Sequence, residues 1–181
     1  MNYMGYIIIT IVVIYLIYFL YETKLDSNKY TTFTEDGYKI LYNNPPQDVI
    51  LSYLPKDYVF MDYKYVIKGC SLSTYHRDVT LSQYVCKTIH PVYTYIWYKN
   101  KGELLSLCPY SHKTTPLSFS RAKILTSVEN TGVLFNCDLL HAGVMNSFGY
   151  NRYAEQYKIV HKDDYQKIIK LNGINKIKIT K

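Results

Sequence analysis

Arg152-Tyr153-Ala154-Glu155-Gln156-Tyr157-Lys158-Ile159-Val160 is the stretch from which the fold is read. No Gly or Pro interrupts it, and aromatic and β-branched residues alternate with polar ones. Successive side chains of an extended chain point to opposite faces. Tyr153, Glu155, Tyr157 and Ile159 therefore share one face, and Arg152, Ala154, Gln156, Lys158 and Val160 the other. Outward from this stretch lie further short runs of the same character, at 63–67, 93–98, 104–108, 122–127 and 132–135. Clusters of Gly, Asn, Pro and Ser separate them. Asn100-Lys101-Gly102 reads as a tight turn, which makes 93–108 a predicted hairpin. A short strand is also predicted at 38–42. Few helices flank these runs: one starts after Pro46 and covers 47–54, and one closes the domain at 163–171. Several short strands over roughly a hundred residues predict a mainly β domain, a sandwich or jelly-roll barrel.

The first residues follow a different rule. From Tyr3 to Tyr21 there is no charged side chain, and Ile, Val, Leu and Phe dominate. Nineteen helical residues at about 1.5 Å each reach roughly 28 Å, close to a bilayer hydrocarbon core. Tyr3, Tyr6, Tyr18 and Tyr21 sit at the ends, where interfacial aromatics are favoured. A cleaved signal peptide would have a basic leading segment and a small-residue cleavage site, and neither is present. One uncleaved N-terminal transmembrane helix, a single-pass membrane anchor, is the expectation. Glu22, Lys24, Asp26 and Lys29 balance one another, so charge gives no side of the membrane for the domain. The organisation expected is an anchor at 1–22, a connector and N-terminal support at 23–57, a β domain at 58–161 and a basic segment at 162–181.

Of the 181 residues, 22 are Tyr. Tyr, Ile, Asn and Lys share AT-rich codons, a bias compatible with an AT-rich large DNA virus. The net charge is +7, much of it from Lys158, Lys162, Lys167, Lys170, Lys176, Lys178 and Lys181. The plain reading of these lysines is a solvated C-terminal segment; the sharper one is attraction to an anionic membrane surface or other polyanion. No nucleic-acid motif appears, and no nucleic-acid partner is expected. Cys70, Cys86, Cys108 and Cys137 form no CxxC pair, which argues against a zinc ribbon or thioredoxin chemistry. They suit two disulfides or four buried thiols equally.

Four residues carry chemistry: His76, Asp78, His141 and Arg152. Two imidazoles and a carboxylate form the facial donor set of non-haem Fe(II). On an extended strand, residues 76 and 78 point to the same face and can serve one metal. On a helix they would be about 200° apart. His141 follows the apolar run Val133-Leu134-Phe135 and Leu139-Leu140, a setting for a buried strand. Among the other candidates, His90 and His161 read as surface residues, His112 as structural and Trp97 as core. Asp138 reads as a turn residue in preference to a partner of His141. Asn146 either orients the metal loop or caps a turn.

Tyr75-His76-Arg77-Asp78, then Gly102 to Lys113 with Cys108-Pro109-Tyr110-Ser111-His112, then His141-Ala142-Gly143 with Asn146 five and Arg152 eleven positions after His141, resemble the Fe(II)/2-oxoglutarate-dependent dioxygenases. The likeness is greatest to the phytanoyl-CoA dioxygenase-like branch and spans roughly residues 65–160. It implies a double-stranded β-helix, a jelly-roll variant. It implies Fe(II) held by His76, Asp78 and His141, and 2-oxoglutarate held by Arg152 with Asn146. It also implies hydroxylation of a C–H bond with O2 as oxidant and succinate as by-product, and it admits ascorbate as an accessory reductant. Tyr110 departs from the pattern, standing where the family's turn carries glycine. Gly149-Tyr150-Asn151-Arg152-Tyr153 has some likeness to the lysyl hydroxylases, so the substrate is a small molecule, a lipid or a protein side chain. The rival expectation is an inactive jelly-roll that serves as a structural or interaction protein of a membrane or virion.

Overall fold

The computed structural model describes residues 8–15, 33–69, 73–78, 86–113, 121–127, 129–144, 152–170 and 176–179. Nine strands form two antiparallel sheets among them. They are β1 (Tyr38–Tyr42), β2 (Tyr58–Lys68), β3 (Tyr93–Tyr98), β4 (Gly102–Leu107), β5 (Lys123–Ser127), β6 (Thr131–Asn136), β7 (His141–Gly143), β8 (Tyr153–His161) and β9 (Lys176–Lys178). The large sheet runs β1-β6-β3-β8-β2-β9 and the small one β5-β4-β7. Short helices at Phe33–Asp36, Gln47–Leu51 and Tyr165–Ile169 flank them. The mainly β prediction holds, with a jelly-roll-like pairing of sheets.

Period-two alternation builds the interior. On β3, β6 and β8 the side chains of Ile96, Tyr98, Val133, Phe135 and Ala154 point one way. They meet Leu105, Leu107 and Leu125 of the small sheet in one buried cluster. The opposite face of β3, β6 and β8 carries Tyr95, Leu134 and Ile159. Ile50 of the helix Gln47–Leu51 covers it, together with Leu54 and Tyr58. Both faces of the large sheet are thus covered, which explains why β6 is buried at all six positions.

The predicted hairpin over 93–108 does not form. β3 pairs with β6 and β8, while β4 pairs with β5 and β7. Both edges of β3 are occupied, and the residues after it bond sideways. Lys99 N–H donates to Tyr153 O at 3.0 Å, and the Asn100 side chain accepts from Tyr153 N–H at 3.0 Å. The chain then leaves through Gly102, whose φ of 135° lies outside the range that side chains favour, and enters the facing sheet.

Of the predicted anchor at 1–22, only residues 8–15 are described; they are helical with exposed side chains. Among the described residues no helix is long and apolar enough to cross a membrane. The rest of that span lies outside the described residues. Cys86, Cys108 and Cys137 are free thiols, and Cys70 lies outside the described residues. Burial pushes the Cys137 thiol up to about 12.

Candidate metal centre

His76, Asp78 and His141 come together at one end of the sandwich, with their ligand atoms all within 4.8 Å of one another. His141 opens β7. The sequence had predicted a strand through His76 and Asp78; the structure forms one isolated β-bridge there, flanked by further backbone hydrogen bonds. His76 N–H donates to His141 O at 2.8 Å and His141 N–H to His76 O at 2.9 Å. Ser73 N–H donates to Gly143 O at 3.3 Å and Asp78 N–H to Cys137 O at 3.0 Å. The two histidines are therefore tied backbone to backbone, with ring centroids 4.5 Å apart.

Each ring is fixed in the same way. His76 Nδ1 lies 2.8 Å from Thr74 O, and His141 Nδ1 lies 2.8 Å from Leu139 O. A carbonyl only accepts, so both Nδ1 atoms carry the proton, and both Nε2 lone pairs are left for a ligand. His141 is buried and His76 exposed. Burial lowers the His141 pKa, although Asp78 and the Leu139 carbonyl oppose this. Its imidazole is held neutral, the form that binds metal.

Asp78 is oriented by its outer oxygen. Lys158 Nζ and Thr94 Oγ1 donate to Oδ2, the latter at 3.0 Å, while Oδ1 faces His141 Nε2 at 3.7 Å. Burial would raise the Asp78 pKa. The Lys158 ammonium, His141 and the two hydrogen bonds outweigh it and hold the carboxyl well below the usual range. Lys158, only 3% exposed, is raised in turn: burial disfavours its charge, and the Asp78 carboxylate more than restores it. Thr94 and Lys158 are direct cross-strand partners on β3 and β8, and Lys158 Nζ donates to Thr94 Oγ1 at 2.7 Å.

Lys158 corrects the reading of the C-terminal lysines as a solvated segment. It lies on the interior face of β8, the face it shares with Ala154. Lys162 does remain at the surface, paired with Asp57 at 2.8 Å. The parity of β8 was the available signal: a lysine in step with Ala154 and Val160 points where they point.

Arg152 precedes β8 and is buried. Its guanidinium donates to Val144 O and stands 6.0 Å from the Tyr98 ring centroid. Asn146 lies outside the described residues. Arg77, between the two ligands, faces away from the metal centre. It donates to Asp138 O at 2.8 Å and Ser111 O at 2.7 Å, clamping the ligand segment to the turn before β7. Asp138 is a turn residue, as predicted. The acceptor for His141 is the Leu139 carbonyl two residues before it.

Tyr110 has φ +66°, the left-handed conformation that favours glycine. Trp97 is half-buried and packs on the outer face of the large sheet. His90 and His161 are not independent surface residues: their rings stack with centroids 3.8 Å apart, beside Asp163.

No family model matches the chain, and no curated protein sequence matches it. Solved structures match in architecture. EvdMO1 superposes with a TM-score of 0.52 at 11% identity, covering 64% of this chain and 30% of that one, so the chain spans less than a third of that protein. The non-heme alpha ketoglutarate dependent epimerase SnoN from nogalamycin biosynthesis gives a TM-score of 0.52 at 9% identity, with 72% of this chain and 80% of SnoN covered. The non-heme alpha ketoglutarate dependent carbocyclase SnoK from the same biosynthesis gives 0.50 at 10% identity, with 82% and 94% covered. This chain shares their fold. Its own donor set, two imidazoles and one carboxylate oxygen on a jelly-roll-like scaffold, is of the kind that takes Fe(II), with Mn, Co and Ni as competitors.

Proposed function

We propose that this chain is a membrane-anchored, Fe(II)- and 2-oxoglutarate-dependent oxygenase of the phytanoyl-CoA dioxygenase-like kind, acting on a C–H bond of a small molecule, a lipid or a protein side chain. The observation that carries the reading is the convergence of one ligand atom each from His76, Asp78 and His141 within 4.8 Å, with His141 Nε2 facing Asp78 Oδ1 at 3.7 Å and with Nδ1 of both imidazoles and Oδ2 of the carboxylate engaged elsewhere. These residues fit a divalent ion without rearrangement of the backbone. When bound, Fe(II) with 2-oxoglutarate and O2 supplies the oxidising chemistry. The chain holds the metal through His76, Asp78 and His141 and directs one carboxylate oxygen to it through Lys158 and Thr94. Arg152 receives the distal carboxylate of the keto acid, because a guanidinium fork matches a carboxylate in two parallel hydrogen bonds. The apolar run at 3–21 supports the anchor.

Lys158 favours a second reading, the inactive interaction module, because its ammonium neutralises the charge that would attract a cation. Anaerobic Fe(II) titration of the full chain in detergent micelles, followed by an assay for succinate from 2-oxoglutarate, separates the two. The oxygenase reading expects binding that His76→Ala and His141→Ala abolish. Absence of binding, or binding indifferent to both substitutions, overturns it.

A further inference from the structure

A second convergence of ligand atoms lies beyond the far end of β8. His161 ends the strand, Asp163 lies in the 3-10 turn Lys162–Asp164, and His90 comes from the segment before β3. Their ligand atoms also lie within 4.8 Å of one another. The convergence is built into the fold. Asp164, buried in the same turn, accepts from the backbone N–H groups of Ile89 and His90 at 2.9 Å each and fixes the segment that carries His90. Tyr58 places its ring edge-on to His161 at 5.5 Å and donates its hydroxyl to Pro91 O at 2.9 Å. Two segments some seventy positions apart are thereby locked side by side with one donor from His90 and two from the turn.

The spacing of Asp163 from each imidazole suits a tetrahedral ion, and the two rings, with centroids 3.8 Å apart, have to splay to complete it. With metal–ligand distances near 2.0–2.1 Å, two donors of a tetrahedron stand about 3.3 Å apart. His90 Nε2 is 3.5 Å from Asp163 Oδ2, and His161 Nδ1 is 3.3 Å from the same oxygen. The hydrogen bond now reaching His161 Nδ1, from Asp163 N–H at 3.3 Å, is longer than an ordinary one. Its lone pair is only weakly engaged. Asp163 is 62% exposed, so one side is open to a water ligand.

We infer that His90, His161 and Asp163 form a second metal site, distinct from His76, Asp78 and His141, which takes a Zn(II)-class ion with water as fourth ligand. Two imidazoles and one carboxylate in a tetrahedral arrangement suit Zn(II), whereas Ni(II) and Cu(II) with such donors favour tetragonal sites. The ion staples the segment before β3 to the turn after β8.

The test uses the full chain carrying His76→Ala and His141→Ala, so that its result is independent of the first site. Co(II) is titrated and followed by its visible absorption, then displaced with Zn(II). The inference expects a tetrahedral Co(II) band, lost on Zn(II) addition. Adding His90→Ala, or separately Asp163→Ala, should weaken binding at least tenfold, and His90→Gln serves if circular dichroism shows that His90→Ala alters the fold. Absence of a band in the double variant overturns the site, as does a band unchanged by both the His90 and Asp163 substitutions.

Discussion

Lys158 Nζ donates to Oδ2 of Asp78 while the other oxygen of that carboxylate faces His141 Nε2 at 3.7 Å. One carboxylate is thus divided between a fixed internal cation and the place where an external one would bind. Without the metal, the lysine compensates a charge that would otherwise sit in a low-dielectric interior beside Cys137.

Lys158→Met removes that compensation. Breaking a buried ion pair from one side costs about 3–5 kcal/mol, and urea unfolding of the metal-free variant should show a loss of that order. Saturating Mn(II) should recover much of it, because the ion supplies the missing charge. Equal stabilisation of wild type and variant by Mn(II) would mean that lysine and metal do not share Asp78.

Acid should destabilise the metal-free protein in two stages. His141 has a lowered pKa, so below its ordinary 6.5 the unfolded chain takes up a proton that the folded chain resists, and stability falls as pH falls. Asp78 also has a lowered pKa. Its contribution is complete above 3.8 and is lost only as pH drops through the lower folded value. Urea midpoints should be level above about pH 7 and decline below about 6.5. His141→Gln should flatten that first decline; an unchanged profile would exclude His141 as its source.

Arg152→Ala should weaken 2-oxoglutarate by roughly 10- to 100-fold, the worth of a charge-assisted hydrogen bond of about 1.5–3 kcal/mol. Fe(II) affinity should stay within about twofold of wild type, as the proposed function gives this residue the co-substrate rather than the metal. Equilibrium binding of each, measured anaerobically, separates the two. An equal fall in both would make Arg152 a support of the site rather than a co-substrate ligand.

Gly37 and Gly69 have almost the same backbone, with φ +81° and +79°. A Cβ on Gly37 would stand 2.4 Å from His112 Nδ1 and 2.9 Å from Leu139 Cδ1, whereas one on Gly69 meets nothing within 4 Å. Gly69→Ala should lower stability by about 1–2 kcal/mol for the left-handed conformation alone. Gly37→Ala should lose about 1–3 kcal/mol more from overpacking. Thermal or urea unfolding of the two variants side by side checks the difference, and equal losses would rule out the close packing at Gly37.

The sequence made legible whatever depends on one segment at a time. The alternation of β8, the strand at 38–42 and the turn at Asp138 are local patterns. The convergence of His76 and Asp78 was readable because residues two apart on an extended chain share a face. The hairpin over 93–108 failed because its turn signal is local, while the occupancy of both edges of β3 by β6 and β8 is a fact of the whole sheet. Lys158 was misjudged for the same reason. Its charge was counted with the tail, although its position in the β8 alternation already set it opposite Ile159 and in step with Ala154. The stacking of His90 on His161 was beyond reach, since it depends on the Asp164 carboxylate docking a distant loop.

The bridge between His76 and His141 has an entropic consequence. Their separation is set by two peptide hydrogen bonds that need no ion. The loss of freedom that metal binding ordinarily imposes on its ligands is already incurred by the fold. An ion taken up here would therefore enter and leave an intact protein, and the β-sandwich should stand without one.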